Sequence, residues 1–283
     1  MVSTKGWLRC KPLINNMAPR AIIRTESFQF KFSICTLANK PDEYNEMVNS
    51  FLNAGFGETD CEYIYSDNSK ANEFEAFGGI NRFLREAKGE FVIICHQDVL
   101  INIDDRKKLE QQIDIVNKLD PTWGILGNAG VADLFNCSMS ITEGDLKYYR
   151  KGILPSKVRS LDENFLIFKA SANLAVAADL EGFHMYGTDV CLVAECLGYS
   201  AFVIDFNLIH KGLGIVDESF HSLSAKLQRK YSTFFRGRYI RTTITRFYIS
   251  SNRSVNAFMN LGIIKSIFRA YYKIRYKMLQ KSS

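Results

Sequence analysis

Apolar and polar residues switch between two spacings along the first hundred residues. FQFKFSICTL (28–37) alternates one by one, the period of a strand, and runs into the turn residues Asn39-Lys40-Pro41. In PDEYNEMVNSFLNAGF the residues Tyr44, Met47, Val48, Phe51 and Leu52 recur every three or four positions, one face of a helix. CEYIYSDNS predicts a second strand that breaks at Asp67-Asn68-Ser69. A helix is expected over 76–87, closed by Lys88-Gly89, and EFVIICHQDVLI predicts a third strand whose far end turns polar.

Strand, helix, strand, helix, strand is the order of a parallel α/β sheet, in which ligands bind beyond the carboxyl ends of the strands. Three polar groups stand at those ends: Thr36 with Asn39, Asp67 with Asn68, and His96-Gln97-Asp98. The order predicts that they converge on one crevice. Further on, a helix is expected near 105–119, a strand and turn in WGILGNAGVA, and hairpins or loops over 133–157. SLDENFLIFKAS reads as a strand, GFHMYGTDVCLVAECLGY as an amphipathic helix with a polar entry, and AFVIDFNLIHKG as a strand ending at His210.

The chain has 283 residues, 47% of them apolar, enough for one α/β domain with an appendage. Its seven cysteines form no CxxC pair and several lie in strand-like runs, which suggests buried thiols in a reducing compartment. The first twenty residues lack the apolar stretch of a secretory signal, and no run is long and charge-free enough to span a bilayer. The expected location is the cytoplasm.

Charge changes the picture of the C-terminal part. The net charge is +6, yet from Ser219 onward there are 14 Lys and Arg and no Asp or Glu, so the rest carries an acidic excess. On a helical wheel, GIIKSIFRAYYKIRYKML places Ile263, Ile264, Ile267, Phe268, Tyr271, Ile274 and Met278 on one broad face. Lys265, Arg269, Lys273 and Lys277 fall on the other, with Arg275 intruding on the apolar face. This is the pattern of a helix lying in the interface of an anionic membrane; the alternative is a helix packed on its own domain with a solvated basic face.

Four features carry chemistry: His96-Gln97-Asp98, Asp162, Asp189 near the start of a helix, and His210. Departure of a nucleoside diphosphate leaves negative charge that a divalent ion on hard oxygen ligands, with an imidazole if it is Mn²⁺, can neutralise. A separate carboxylate can take a proton from an acceptor hydroxyl. Each residue also has a structural reading: Asp67-Asn68 as a turn, Asp189 as a helix-dipole partner, His210 as a surface histidine, Asp162 as a strand-end acid.

The segments FSICTLANK, YIYSDNS, NRFLREAKGEFVIICHQDV, SLDENFLIF, FHMYGTDVCLVAECLGY and VIDFNLIHKG resemble the inverting family 2 glycosyltransferases, particularly bacterial enzymes of surface polysaccharide assembly. The resemblance runs from about Phe30 to Phe220. It implies a GT-A-type α/β fold, a mixed and mainly parallel sheet flanked by helices, here with a basic helical C-terminal appendage. The corresponding division is an N-terminal extension (1–27), a catalytic domain (28–220) and a basic, mostly helical region (221–283). HQD stands where the family has DxD, so Asp98 inherits a metal-ligand role for Mn²⁺ or Mg²⁺, with His96 in place of an Asp and His210 matching a histidine that often completes the site. Thr188-Asp189 stands where the family has an ED pair, so Asp189 inherits the role of base and Thr188 replaces an acid.

The resemblance implies a donor site of Thr36, Asn39, Asp67, Asn68, Asn81, His96 and Gln97 for a nucleotide diphosphate sugar, UDP favoured. Asp162, His184 and Tyr186 would face a glycan or lipid-linked acceptor, at the inner face of the cytoplasmic membrane. Two rival readings stand beside this one. A nucleotidyltransferase or other nucleotide-binding enzyme would carry a glycine-rich, basic loop after the first strand, where this chain has LANKPDEY. A nucleic-acid-binding protein would use the basic tail, but that leaves the strand-end acids unexplained, and no nucleic-acid partner is expected.

Overall fold

The computed structural model describes residues 27–281 except 58, 145, 213, 215 and 216. The expected N-terminal extension therefore lies almost wholly outside the described residues. The chain begins with β1 (Phe30–Ala38), α1 (Pro41–Asn53), β2 (Cys61–Asp67), α2 (Ala76–Glu86), β3 (Gly89–Cys95), β4 (Val99–Leu100), α3 (Arg106–Leu119) and β5 (Trp123–Gly127). It continues with β6 (Ala129–Val131), β7 (Cys137–Glu143), β8 (Tyr148–Lys151), β9 (Ser156–Val158), β10 (Ser160–Leu161), β11 (Phe165–Lys169) and α4 (Tyr186–Cys196). The last elements are β12 (Ser200–Val203), β13 (Ile209–His210), α5 (Glu218–Phe234), β14 (Arg238–Arg241), β15 (Arg246–Ile249), α6 (Arg253–Met259) and α7 (Gly262–Lys281).

The main sheet has seven strands in the order β2-β1-β3-β11-β5-β12-β9. β2, β1 and β3 are parallel, β11 runs antiparallel to both β3 and β5, and β12 is parallel to β5. β9 is antiparallel to β12, so the sheet is mixed, with five of its seven strands running in one direction, in an α/β fold flanked by helices, as expected. Because successive strand residues point to opposite faces, β3 supplies both layers of core: Phe91 and Ile93 on one side, Val92 and Ile94 on the other. The first side is covered by α1 through Met47 and Phe51 and by α3 through Leu109, Ile113 and Val116. The second is covered by α2, α4 and α5, the last through Leu223, Leu227 and Tyr231.

α5, which extends beyond the division expected at 220, is anchored on the main sheet. Three apolar residues on one face of this helix, Leu223, Leu227 and Tyr231, are all buried in the same core cluster as β3 and α4. Two expected single strands are each divided. Polar residues interrupt both: Asp162-Glu163-Asn164 separates β10 from β11, and Asp205 and Asn207 lie between β12 and β13. These breaks feed a second sheet, ordered β10-β6-β7-β13-β4 with β8 against β7, across the carboxyl ends of the first.

Beyond α5 the hairpin β14–β15 and the helices α6 and α7 hold one another. Tyr239 packs on Phe268 with ring centres 5.2 Å apart and donates its hydroxyl to Met259 O, while Asn260 bonds the backbone of Tyr248 at both ends. No helix among the described residues is long and apolar enough to cross a membrane.

Candidate metal and donor site

The chain leaves β3 at Cys95 and turns at once, with Val99 N–H donating to His96 O. That turn carries His96, Gln97 and Asp98. β4 follows and pairs antiparallel with β13, setting His210 opposite Val99 and Lys211 N–H on Asp98 O. The ladder brings His210 Nε2 to 3.6 Å from Asp98 Oδ1. His96 Nδ1 lies 3.4 Å from His210 Nε2, and the three candidate donor atoms all lie within 4.8 Å of one another. Gly212 makes room for this: a Cβ there would sit 2.5 Å from Asp98 Oδ2.

Tyr186, the first residue of α4, closes the cluster from the other side. Its hydroxyl lies 2.9 Å from His96 Nε2 and donates to Glu163 O at 3.1 Å. Burial raises the phenol well above its ordinary value, and burial followed by the nearby His210 lowers the His96 imidazole. Asp162 and His184 are near enough to act on the charge of His96 as well. Asp162 is exposed, and one of its oxygens is held by the backbone and side-chain N–H of Asn164, whose carbonyl accepts from His96 N–H. Four expected residues, His96, Asp98, Tyr186 and His210, are thus gathered at the carboxyl end of β3, with Asp162 and His184 close enough to act on His96. His184 packs against Phe220, ring centres 5.5 Å apart.

The remaining candidates divide. Gln97 spends its amide on the loop after β1: its Oε1 accepts from Asn39 N–H and Lys40 N–H, and its Nε2 donates to Asn39 Oδ1. Gln97 and Asn39 therefore fix the loop beside the site. Asn68 closes its own loop on Phe74, but Asp67 stays exposed at the end of β2, its Oδ1 accepting from Ser69 N–H. The hydrogen bonds from Ser69 hold its carboxyl below the ordinary value. Two strand spacings, roughly 10 Å, separate it from the His96 turn.

Three expectations are corrected. Thr36 is fully buried inside the sheet with its hydroxyl on Cys95 Sγ, because its position on β1 points into the core layer. Asn81 uses both ends of its amide on the backbone of Val176, pinning the segment 173–182 to α2. Asp189 does not face the crevice. It is fully buried, accepting from Ala177 N–H at 2.7 Å and from the Tyr231 hydroxyl at 2.7 Å, and burial raises its carboxyl above the ordinary value. A place at the helix start favours the ionised form; burial under α5 outweighs that.

Sequence reasoning passed over Glu163. Burial and the neighbouring Asp162 push its carboxyl up to about 8, against the pull of backbone bonds from Gly187 and Met185 at the start of α4. Its signal was the adjacent pair of acids in SLDENFLIF. The native state holds a proton here that the unfolded chain releases near pH 4.5. The stability this contributes is complete below that pH and is lost as pH rises through about 8. The loss for the wild type between those limits should be on the order of a few kcal/mol, and Glu163→Gln should show a flatter profile. Urea unfolding at pH 5 and 8.5 checks this; parallel profiles would contradict it.

No protein-family model matches the chain. It is 36% identical over 214 residues to the protein described as ATP synthase subunits region ORF 6 of Fuscovulum blasticum, covering 73% of this chain and 86% of that one. Among solved structures it is similar to the mannosyltransferase PcManGT from Pyrobaculum calidifontis in complex with GDP-Man and Mn²⁺. There the identity is 14%, over 75% of this chain and 66% of the other, with a TM-score of 0.47. It is also similar to TarS of S. aureus in complex with UDP-GlcNAc, at 13% identity over 66% of this chain and 60% of the other, TM-score 0.46. The chain spans less than two thirds of the length of either solved chain.

Proposed function

The chain belongs to the family of the ATP synthase subunits region ORF 6 protein of Fuscovulum blasticum, a name that states no chemistry, and from the site itself we propose a metal-dependent, inverting glycosyltransferase of GT-A type. The observation that carries this is the meeting of Asp98 and His210 at the carboxyl end of β3, with the exposed carboxylate of Asp162 close enough to act on the neighbouring His96. The family 2 resemblance of the segments around these residues agrees with it.

The donor is a nucleotide diphosphate sugar, with UDP favoured. Asp67 accepts from a base N–H at the end of β2, and the Gln97-anchored loop after β1 borders the nucleotide. Asp98 and His210 fit Mn²⁺ or Mg²⁺, which when bound supplies charge neutralisation at the departing diphosphate. Asp162 takes the acceptor proton as the hydroxyl attacks, held in orientation by Asn164. His184 bounds the acceptor side, whereas Tyr186, expected there too, is buried with its hydroxyl between His96 Nε2 and Glu163 O and orients the cluster instead. A screen of donor hydrolysis over UDP-, GDP- and dTDP-sugars tests the reading. Metal-dependent turnover of one donor supports it, and inertness toward every nucleotide sugar, with thermal stabilisation by oligonucleotides instead, would overturn it.

The acceptor is a glycan or a lipid-linked glycan of cell-surface polysaccharide, met at the inner face of the cytoplasmic membrane. The C-terminal region supports this. Ile263, Ile267, Tyr271, Ile274 and Met278 form an exposed stripe on α7, in a stretch free of acidic residues. Deleting 261–283 removes six basic residues. At about 1 kcal/mol each near an anionic surface, affinity for phosphatidylserine vesicles should fall by roughly a hundredfold or more. Co-sedimentation of the truncated chain at the wild-type level would make the tail structural.

A further inference from the structure

The hydrogen bonds around His96 fix which of its nitrogens carries the proton. The single hydroxyl hydrogen of Tyr186 is given to Glu163 O. Toward His96 Nε2, 2.9 Å away, the phenol oxygen can then only accept, so Nε2 carries the hydrogen. In a neutral imidazole that leaves Nδ1 with a bare lone pair, and Nδ1 is the atom that faces His210 Nε2 at 3.4 Å. His210 Nε2 in turn faces Asp98 Oδ1 at 3.6 Å.

Both separations are long for an N–H hydrogen bond, which falls at about 2.7–3.2 Å. They are close to the spacing of neighbouring donor atoms on one ion, roughly 3.0–3.5 Å for bonds of about 2.1 Å. The rest of the surround serves the same arrangement. Tyr186 and Glu163 O form the outer partner that orients a metal-bound imidazole, and Gly212 leaves Asp98 Oδ2 uncrowded.

Building on the metal reading above, we propose that His96 is itself a ligand, through Nδ1, and completes with His210 and Asp98 a two-imidazole, one-carboxylate site that selects a first-row transition ion over Mg²⁺. Mg²⁺ demands oxygen ligands in near-octahedral array and gives up water reluctantly, whereas Mn²⁺, Co²⁺ and Zn²⁺ accept imidazole readily. The histidine standing where an acid is usual in the resembling family then sets the choice of metal.

The test uses the full chain with metal alone, no nucleotide and no turnover. Pulsed EPR of bound Mn²⁺ should show couplings to two imidazole nitrogens in the wild type and to one in His96→Gln. By calorimetry the wild type should prefer Mn²⁺ to Mg²⁺ by about a hundredfold, and His96→Asp should cut that ratio at least about tenfold. Tyr186→Phe should weaken Mn²⁺ by about tenfold or more through the lost outer partner. One nitrogen coupling in the wild type would overturn ligation by His96 while leaving the Asp98–His210 site intact. No coupled nitrogen at all would overturn it together with the metal reading. If His96→Asp fails to fold, the wild-type spectrum decides.

Discussion

Asp98→Ala is expected to lower glycosyl transfer by about three orders of magnitude or more, with thermal stability close to that of the wild type. The size of the effect comes from where charge appears. In the proposed transfer the departing diphosphate gains negative charge that a bound cation would neutralise, and contributions of this kind reach several kcal/mol. Asp98 is the one carboxylate in the three-residue cluster, so no neighbour in that cluster replaces its charge. Its side chain is about four-fifths covered, at 21% relative exposure, and its carboxylate is directed at His210. At 3.6 Å that contact is longer than a hydrogen bond, so removing the carboxylate costs the fold little. The measurement is single-turnover transfer with Mn²⁺ titrated to saturation, beside wild-type protein in EDTA. Activity of Asp98→Ala within tenfold of wild type, or full wild-type activity in EDTA, would defeat the assignment.

Asp162→Asn is the second large effect. It keeps the shape of the side chain and its bonds with Asn164 but removes the basic oxygen, so kcat should drop by about two to four orders of magnitude with donor affinity little changed. Asp189→Asn provides the contrast. Asp189 holds Ala177 N–H and the Tyr231 hydroxyl in the core. Its loss should lower the melting temperature by a few degrees, the scale of about one kcal/mol in a protein this size, while turnover of the folded fraction stays within tenfold. Anomeric configuration read by NMR at early times should be opposite to that of the donor. If Asp189→Asn loses turnover at full stability and Asp162→Asn does not, the base is Asp189 as the sequence resemblance implies.

Asp162 and Asp189 differ in packing and not in residue type, and packing is the part of the site that the sequence does not display. The strand ends were legible because polar residues terminate apolar runs in β1, β2 and β3, and parallel order makes those ends neighbours. His210 was legible for the same reason, although the pairing of β13 with β4 that delivers it to Asp98 was not. A strand of two residues leaves no periodic trace. The direction of Asp189 was hidden because it depends on α5, whose Tyr231 lies 42 positions along the chain. Asn81 and Thr36 were misjudged by type: an amide or hydroxyl near a site serves backbone and core as readily as a ligand. Glu163 was overlooked because its unusual proton affinity comes from burial at the start of α4, a property of the packing and not of the tripeptide around it.

The segment from Asn173 to Gly182 contains no helix or strand, yet it forms part of the wall over α2. Asn81 grips it at Val176, Asp189 at Ala177, and Glu75 at Gly182, three side chains from two helices that otherwise cap or line the core. A stretch whose amides are tied to side chains, with no ladder of its own, has no way to fray one bond at a time from an end. The amides of Val176, Ala177 and Gly182 should therefore exchange with deuterium at a common rate, as one opening unit, and that rate should track the anchoring of α5 through Tyr231 more closely than the occupancy of the crevice.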